Sequence, residues 1–545
     1  MPLIDPTQAF IKERLASHIA ANHEHTDQSK SLCADGTRVG VIADIQQWLL
    51  PQPSNAERIF WVTGIPGSGK STLSATIVEN LRKKHTPVSA QFFISRNIPE
   101  TTDPNKIIPT IAQQLARSSP TAARVLEVAL KEGYPATLDE QVTSLLLDPI
   151  RELSNSHEVV VILIDALDEL KDAARSVIEI LSLIAPIDCD LPNNVRFFIT
   201  SRPERWVDIS AFENLKHAEF KRYPLATESS VTEVHNFVVA RMRKIVTGRM
   251  KLSPNEPDWQ RWPDPVQLQR LSDKANGLFH YAATALQWIE QRIVEDGTAC
   301  RESVFEHFSE DGLDELDGLY KLILTSWENV YEPTKDHGRR DTRLGGFRHV
   351  MGTILVVQEP LPIREIVALL SDIPKDKFDV TNFLQQMRSL LIPSTTTSFY
   401  DATPQMHKSF RDYTMSERAP PGFRIMTRDA HLMIARSCLD IIVKAGSQSG
   451  IGYEYAVTSW YEHWQEAVEE GARCDDERMW TLLGEMADKR VLDVWTGRMD
   501  AMKMFITVAR TGWQLLKVRR KHEERHLIDE LYGSKIMIWM SVSWC

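Results

Sequence analysis

Two kinds of hydrophobic pattern alternate through the first part of the chain. Near-continuous apolar blocks occupy residues 59–63, 88–94, 159–164 and 195–200, the signature of strands buried on both faces. Between and after them, apolar positions recur at the helical period over 71–84, 107–117, 145–153 and 174–184. Strand–helix alternation across 35–225 predicts an α/β domain built on a parallel sheet. Residues 1–34 are polar and weakly periodic, which predicts a short helix and then a loose N-terminal tail. From 226 to 340 the strand-like runs stop and the pattern is helical, broken by a Trp/Pro-rich stretch at 256–265. Residues 341–425 read as a helix, a second helix opened by Leu361-Pro362-Ile363, a third, and two short Thr/Ser-rich runs around 394–406. Three helices and a hairpin outline a winged-helix domain. Residues 426–545 are again helical in pattern. No repeat with a period of 20–50 residues recurs, so solenoid and propeller architectures lose support.

The first predicted strand runs straight into Gly64-Ile65-Pro66-Gly67-Ser68-Gly69-Lys70-Ser71, which satisfies GxxxxGK[ST] and leads directly into a helical run. The glycines let the backbone curl so that successive N–H groups face a polyphosphate, and the helix behind them presents its positive end to the same anion. In that arrangement Lys70 reaches the β- and γ-phosphates and the Ser71 hydroxyl ligates Mg²⁺.

A metal-bound triphosphate also needs a carboxylate at the end of a neighbouring strand. Six consecutive aliphatic residues, 159–164, end at Asp165, and an acid there is costly unless it faces a cation or donors. Asp165 is therefore the expected Mg²⁺ carboxylate. Ala166 is small enough to allow close approach to the phosphates, and Asp168 and Glu169 follow. One of these two orients and polarises the attacking water. Glu169 is favoured, with Asp168 the alternative. The run ending in Thr200-Ser201-Arg202 places an Arg at the carboxyl edge of the sheet, where ligands bind. Arg202 either reads the γ-phosphate or caps a strand in solvent. The strand–helix unit between Lys70 and Asp165 implies a strand inserted between the two motif strands, a hydrolase geometry more than a simple kinase one.

Composition narrows the setting. The chain has 545 residues, 43% of them hydrophobic and 25% charged, with a net charge of −11. That length suits about three or four domains, and the balance excludes wholesale disorder. No run approaches the ~20 apolar residues of a spanning helix, and the N-terminus has no secretory pattern. Six scattered cysteines without a CxxC pair read as reduced, intracellular thiols, hence a cytoplasmic location. The acidity argues against general nucleic-acid binding.

These motifs together resemble the NACHT-type members of the signal-transducing P-loop NTPases (the STAND class), in particular the filamentous-fungal set. Cys33-Ala34-Asp35-Gly36-Thr37-Arg38 resembles the family's entry segment, IFWVTGIPGSGKST its phosphate loop and AQFFISRN its second strand. VVVILIDALDEL resembles its acidic strand and FFITSRPE its sensor strand. ANGLFHYAATAL and LDGLYKLIL resemble the helical segments beyond the core, and MHKSFRDY the winged-helix segment. The resemblance covers residues 30–425. It implies nucleotide contacts from Gly64 through Thr72 (Gly64, Ile65, Pro66, Gly67, Ser68, Gly69, Lys70, Ser71 and Thr72), and from Asp165, Asp168, Glu169 and Arg202. It also implies Pro224 near the base and His407 on the β-phosphate of a resting diphosphate form. Each of the last two has a plainer alternative: a proline that punctuates a strand and a histidine that serves packing. Family members usually continue into a ligand-sensing repeat array. A stop at Cys545 after the apolar stretch 536–545 implies a shortened product.

The remaining motifs are decoys. His522-Glu523-Glu524-Arg525-His526 spells HExxH, but it lies in a charged run, a third ligand is still required, no Gly follows at the offset the extended motif needs, and only 19 residues remain after His526. The basic clusters 241–244 and 339–340 lack interleaved aromatics and read as solvated faces. Trp288, Trp460, Trp464 and Trp513 read as core or interface residues.

The expected protein is a switch that binds ATP or GTP with Mg²⁺ and hydrolyses it slowly. It closes in the diphosphate form, self-assembles with triphosphate and signals to an unknown effector protein, and the resemblance implies innate-immunity-like or self/non-self recognition as the output. Its domains are 1–34, 35–225 (P-loop core), 226–340 (helical), 341–425 (winged helix) and 426–545 (helical). The alternatives are a P-loop kinase or general ATPase, and a DNA-associated ATPase that reads DNA through the winged helix.

Overall fold

The computed structural model describes residues 5–28, 30–50, 57–84, 88–172, 191–203, 220–225, 227–252, 262–297, 303–309, 316–329, 337–373, 377–392, 398–445 and 450–472, with a few single positions besides. They fall into two compact units, Met1–Leu319 and Tyr320–Cys545.

The first unit is organised by a five-stranded, all-parallel sheet. Its strands are β1 (Ile59–Thr63), β2 (Ala90–Phe93), β3 (Val160–Asp165), β4 (Val195–Ser201) and β5 (Phe220–Pro224), in spatial order β2-β3-β4-β1-β5. A strand does lie between the loop-bearing β1 and the acidic β3, but it is β4. The strand expected at 88–94 sits instead at the edge, beyond β3. The reason is visible in burial: all seven residues of β4 are buried, whereas β2 is four residues long and partly exposed. The sequence pattern lacks β5, whose Phe-Lys-Arg-Tyr-Pro text carries no apolar run. Pro224 is tolerated because β5 flanks β1 on one side only, and its missing N–H costs no ladder bond there.

Period-2 alternation sorts the strand residues onto two faces. Ile59, Trp61, Phe92, Ile162, Ile164, Phe197 and Ile199 join one core with α1 (Pro6–Leu15), α4 (Ile107–Ser118), α5 (Pro120–Lys131) and α7 (Asp148–Ser154). Phe60, Val62, Phe93, Val161, Leu163 and Phe198 join the other with α2 (Val39–Leu49) and α3 (Lys70–Lys83). The helix expected at 145–153 is split. After α6 (Leu138–Gln141) the turn widens to a π-type stretch, Val142–Leu147, before α7 resumes. Pro149, with no N–H to give to the preceding turn, enters at that join. The helix expected at 174–184 lies almost wholly outside the described residues.

The N-terminal segment is a correction. Its helix is present as α1, with Ile11 and Leu15 in the core. The stretch after α1 is held in place and is no loose tail, because it covers the outer edge of β2. Phe93 N–H donates to His23 O at 2.8 Å, Gln28 Nε2 donates to Phe93 O at 2.6 Å, and His25 Nε2 meets Glu79 at 3.1 Å. An unpaired strand edge is a liability that such a cover removes. The covering residues are polar because their work is done by hydrogen bonds, so they left no hydrophobic period to read.

After the sheet come α8 (Thr227–Leu252), α9 (Pro265–Ala275) and α10 (Phe279–Asp296). Asp264 and Gln267 form a capping box at the start of α9. The Arg241 cluster sits on α8, where Arg241 pairs with Glu290 at 2.9 Å between partly exposed side chains, as a solvated face would.

The second unit holds helices His337–Val356, Ile363–Leu369 and Val380–Gln386, then an antiparallel pair, Leu391–Ile392 with Gln405–Met406. Helices Lys408–Thr414, Thr427–Ala445 and Tyr453–Glu469 come next. Trp327, Phe347, Phe383 and Phe423 pack edge-on at its centre. Trp288, Trp460 and Trp464 are buried, as expected. No described helix is long and apolar enough to cross a membrane. The HExxH pentad, Trp513 and residues 536–545 lie outside the described residues, as do 256–261.

Candidate nucleotide-binding site

The loop between β1 and α3 has the backbone a phosphate cradle requires. Gly67 and Gly69 adopt φ of +79° and +87°, a region where L side chains are strained. A Cβ at Gly64 would fall 2.5 Å from Ser68 Oγ. The N–H groups of the first turn of α3 have no intrahelical partner by construction, and no acid stands in that turn. Lys70 Nζ donates to Gly64 O at 2.6 Å and Ile65 O at 3.3 Å, folding back across its own loop. Burial lowers its ammonium pKa from 10.5 to about 8. Asp168, Asp165 and Glu169 oppose that shift, and Arg202 adds to it. The charged candidates therefore converge on Lys70.

Asp165 ends β3 with no solvent exposure. Its Oδ1 accepts from Ser74 Oγ at 2.7 Å and from Thr200 Oγ1 at 2.6 Å. Its Oδ2 is buried with no hydrogen-bond partner. A carboxylate clamped on one oxygen and open on the other fits a cation ligand. Asp165 and Ser71 are thus the residues that would hold Mg²⁺, which when bound would supply positive charge to neutralise the phosphates. Ser74 ties this end of β3 to the first turns of α3 and so brings the two motifs to one place.

Ala166 takes φ +62° and turns the chain into a short 3-10 segment, Leu167–Glu169, that displays the paired acids. Thr200 Oγ1 accepts from Ala166 N–H at 2.8 Å and fixes that turn. Asp168 accepts from Arg202 N–H at 3.0 Å, and its Oδ2 lies 3.3 Å from Arg202 Nε. Arg202 is mostly buried in this pair, not solvated at a strand end. Glu169 accepts from Arg96 N–H at 3.0 Å, beside the end of β2. Both acids stand at the sheet's carboxyl edge.

The remaining expected residues divide. Ile65 is exposed, Pro66, Ser71 and Thr72 are half-buried, and Ser68 is buried with its Oγ unpartnered. Pro224 pairs in register with Thr63, the residue before the loop, and is exposed. His407 belongs to the second unit, where its Nδ1 accepts from Ser409 N–H at 3.3 Å and caps helix Lys408–Thr414. Sequence reasoning missed Ser74, Thr200 and His280. The first two carry a faint signal. Ser74 lies one turn after Lys70 on the inward face of α3, and Thr200 is a hydroxyl inside a buried strand. His280 N–H donates to Gly67 O at 3.2 Å from the start of α10, a contact that no local pattern announces.

A family model described as "Nephrocystin 3, N-terminal" matches residues 42–202. The vegetative incompatibility protein HET-E-1 of Podospora anserina is 24% identical over 394 residues, which are 69% of this chain and 26% of that protein. The chain therefore spans about a quarter of that relative's length. Among solved structures, the Aeropyrum pernix ORC2 protein in its ADP form aligns over 72% of this chain and 92% of its own, at 13% identity and a TM-score of 0.30. Cdc6p from Pyrobaculum aerophilum aligns over 71% and 96%, at 13% identity and a TM-score of 0.27. Overlaps that low carry no argument. Strand order and loop geometry make the core an α/β P-loop NTPase fold, and the chain resembles fungal NACHT-type P-loop NTPases. Nucleotide binding follows from that class.

Two outcomes test the geometry. A base whose pKa is lowered on folding costs stability while protonated, so the empty protein gains stability as pH rises from about 8 towards 10.5. A bound polyphosphate favours the ammonium instead. Nucleotide binding then takes up a proton above about pH 8, and affinity falls as pH rises further. Calorimetry in two buffers of different ionisation enthalpy at about pH 8.5 reads the uptake, which vanishes in Lys70→Arg. Thr200→Val removes a hydrogen bond to a carboxylate worth about 1.5–3 kcal/mol. The gain in nucleotide affinity that Mg²⁺ confers is expected to fall roughly tenfold or more, with magnesium-free affinity little changed.

Proposed function

We propose that the chain is a nucleotide-operated switch. Its core binds ATP or GTP with Mg²⁺ and hydrolyses it slowly. Lys70 contacts the β- and γ-phosphates, Ser71 and Asp165 hold the metal, and Glu169 (or Asp168) polarises the attacking water. Arg202 reads the γ-phosphate, Pro224 lies near the base, and His407 retains the diphosphate in the resting form. The domains are the P-loop core at 35–225, the helical domain at 226–340, a winged helix at 341–425 and a C-terminal helical region at 426–545. Triphosphate releases the closed form, and the exposed surface pairs with further copies in the cytoplasm and engages an effector protein. The incompatibility function in the name of the HET-E-1 protein supports self/non-self signalling as the output.

The observation that carries this reading is the convergence on Lys70. A phosphate loop, an open buried carboxylate oxygen, two further acids and an arginine occupy one sheet edge. The direct backbone contact from α10 to Gly67 supports the switch clause, because a helix that touches the loop has a physical route to respond to it. A ligand moves such an equilibrium only by its differential affinity for the two forms. The net charge of −11 weighs against a DNA-reading role.

The decisive experiment identifies the co-purifying nucleotide and measures particle mass with diphosphate and with a non-hydrolysable triphosphate analogue. A single-chain mass with the first and multiples of it with the second are expected, and the co-purifying nucleotide and the mass difference are both lost in Lys70→Ala. Equal masses sink the switch, and turnover above about one per second without a partner favours a kinase or general ATPase instead. Glu169→Gln is expected to keep nucleotide affinity within about twofold and slow hydrolysis at least tenfold. Unaltered turnover moves the role to Asp168.

A further inference from the structure

Arg38 stands in the segment before the core, and almost all of it is buried, with 5% of its surface exposed. Its backbone sits at φ +58°, a conformation uncommon for a bulky residue that persists only where the surroundings enforce it. Each end of the guanidinium has a different partner. Nη2 donates to Ser68 O, inside the phosphate loop, at 2.6 Å. Nη1 donates to Ser230 Oγ at 2.8 Å and lies 3.8 Å from Glu233 Oε2, both on α8. The plane sits 4.9 Å from the Phe279 ring, at the start of α10, and the Arg38 N–H donates to Glu233 Oε1 at 2.9 Å. One buried cation thus joins the loop to both helices, α8 and α10.

The contact to Ser68 O has a consequence for the phosphate. In a trans peptide the C=O and the following N–H point in opposite directions. Holding Ser68 O towards Arg38 turns the Gly69 N–H the other way. The neighbouring Gly67 O is held by His280 N–H at 3.2 Å. Two successive carbonyls of the loop are therefore fixed by groups that belong to, or are braced by, α8 and α10.

We propose that Arg38 is a positioning residue that orients the Ser68–Gly69 peptide for polyphosphate and, through Glu233, links phosphate binding to the placement of α8. This rests on the reading of the loop as a nucleotide site. Glu233 fixes the guanidinium in the direction that serves Ser68. If α8 moves, the arginine loses its carboxylate and hydroxyl partners together, and the loop loses its brace. By reciprocity, whatever phosphate gains from a braced loop it returns as a bias on α8. Arginine is needed because a planar fork meets a carbonyl, a hydroxyl and an aromatic face at once, which a lysine point charge does not.

The test measures the affinity of the non-hydrolysable triphosphate analogue, ATP- or GTP-type, that the wild-type chain binds more tightly. It compares wild type, Arg38→Lys, Glu233→Gln and the double variant, all in the full chain. Each single change is expected to weaken binding about tenfold, and the double to be no weaker than the worse single, the signature of one shared link. Hydrogen exchange adds a readout that a purely structural role leaves alone. Nucleotide is expected to slow exchange of the amides around Ser230–Val238 in wild type and not in either single variant. Unchanged affinity with that response retained overturns the proposal, even if both variants melt earlier. Should Arg38→Lys fail to fold, Glu233→Gln decides alone, since it leaves the arginine in place and touches no loop atom. If Lys70→Ala binds the analogue as tightly as wild type, the site reading itself has failed. If Lys70→Ala abolishes binding while the Arg38 and Glu233 variants match wild type, only the linkage has failed.

Discussion

The Lys70 ammonium is the charge on which the site is built. It is half-buried, its donors reach two carbonyls of its own loop, and carboxylates from β3 and the following turn act on it. Desolvation alone would drive such a group towards neutrality. The carboxylates hold it near the point of balance, with a pKa of about 8. In the proposed site, an incoming polyphosphate would supply the missing anion and draw the lysine away from the two carbonyls. Asp165 is the counterpart on the other side. Its Oδ2 is buried without a hydrogen-bond partner, as suits a cation ligand, while Ser74 and Thr200 hold Oδ1. A magnesium–polyphosphate unit would, in the proposed site, satisfy the lysine and the carboxylate together.

Much of this was legible in the chain because its determinants are local. A phosphate loop needs particular residues at fixed spacing within eight positions, and a buried strand needs an unbroken apolar run. Both survive in any single sequence. The strands 59–63 and 195–201 and the helices at 70–83 and 107–118 stand within a residue of their expected bounds. What failed was non-local. Strand order depends on which strand every other element covers, so the neighbour shared by β1 and β3 differs from the expected one. The edge strand β5 and the cover over β2 are polar, since each has solvent or hydrogen bonds on one side. Ser74 and Thr200 matter only because Asp165 lies between them, a fact about three distant segments.

The same distinction separates Arg202 from His407. Arg202 ends a strand whose neighbours are fixed by the sheet, so its position beside Asp168 follows once β4 is placed between β1 and β3. His407 is positioned by the second unit's own helices, where it serves as a cap. That cap, in which Nδ1 accepts from the Ser409 N–H, is a duty local to the second unit and follows from the helix that begins at Lys408.

The energetics of a switch set how much any one contact must supply. Moving an equilibrium from mostly closed to mostly open requires about 5.5 kcal/mol of differential affinity. A hydrogen bond from a charged group contributes about 1.5–3 kcal/mol, and a neutral one about 0.5–1.5 kcal/mol. The two carbonyl contacts that reach the loop, from Arg38 to Ser68 and from His280 to Gly67, therefore supply part of the swing and not all of it. They bias the helices after the sheet without fixing them. The rest would have to come from groups that meet the γ-phosphate directly, the role proposed for Arg202 at the end of β4. In the proposed switch, Arg202 would exchange Asp168 for a more highly charged partner when triphosphate binds, which would free Asp168 beside Glu169, the acid favoured to polarise the water. Opening and hydrolysis would then draw on the same ion pair, so the proposed switch and the proposed slow hydrolysis would share one set of residues.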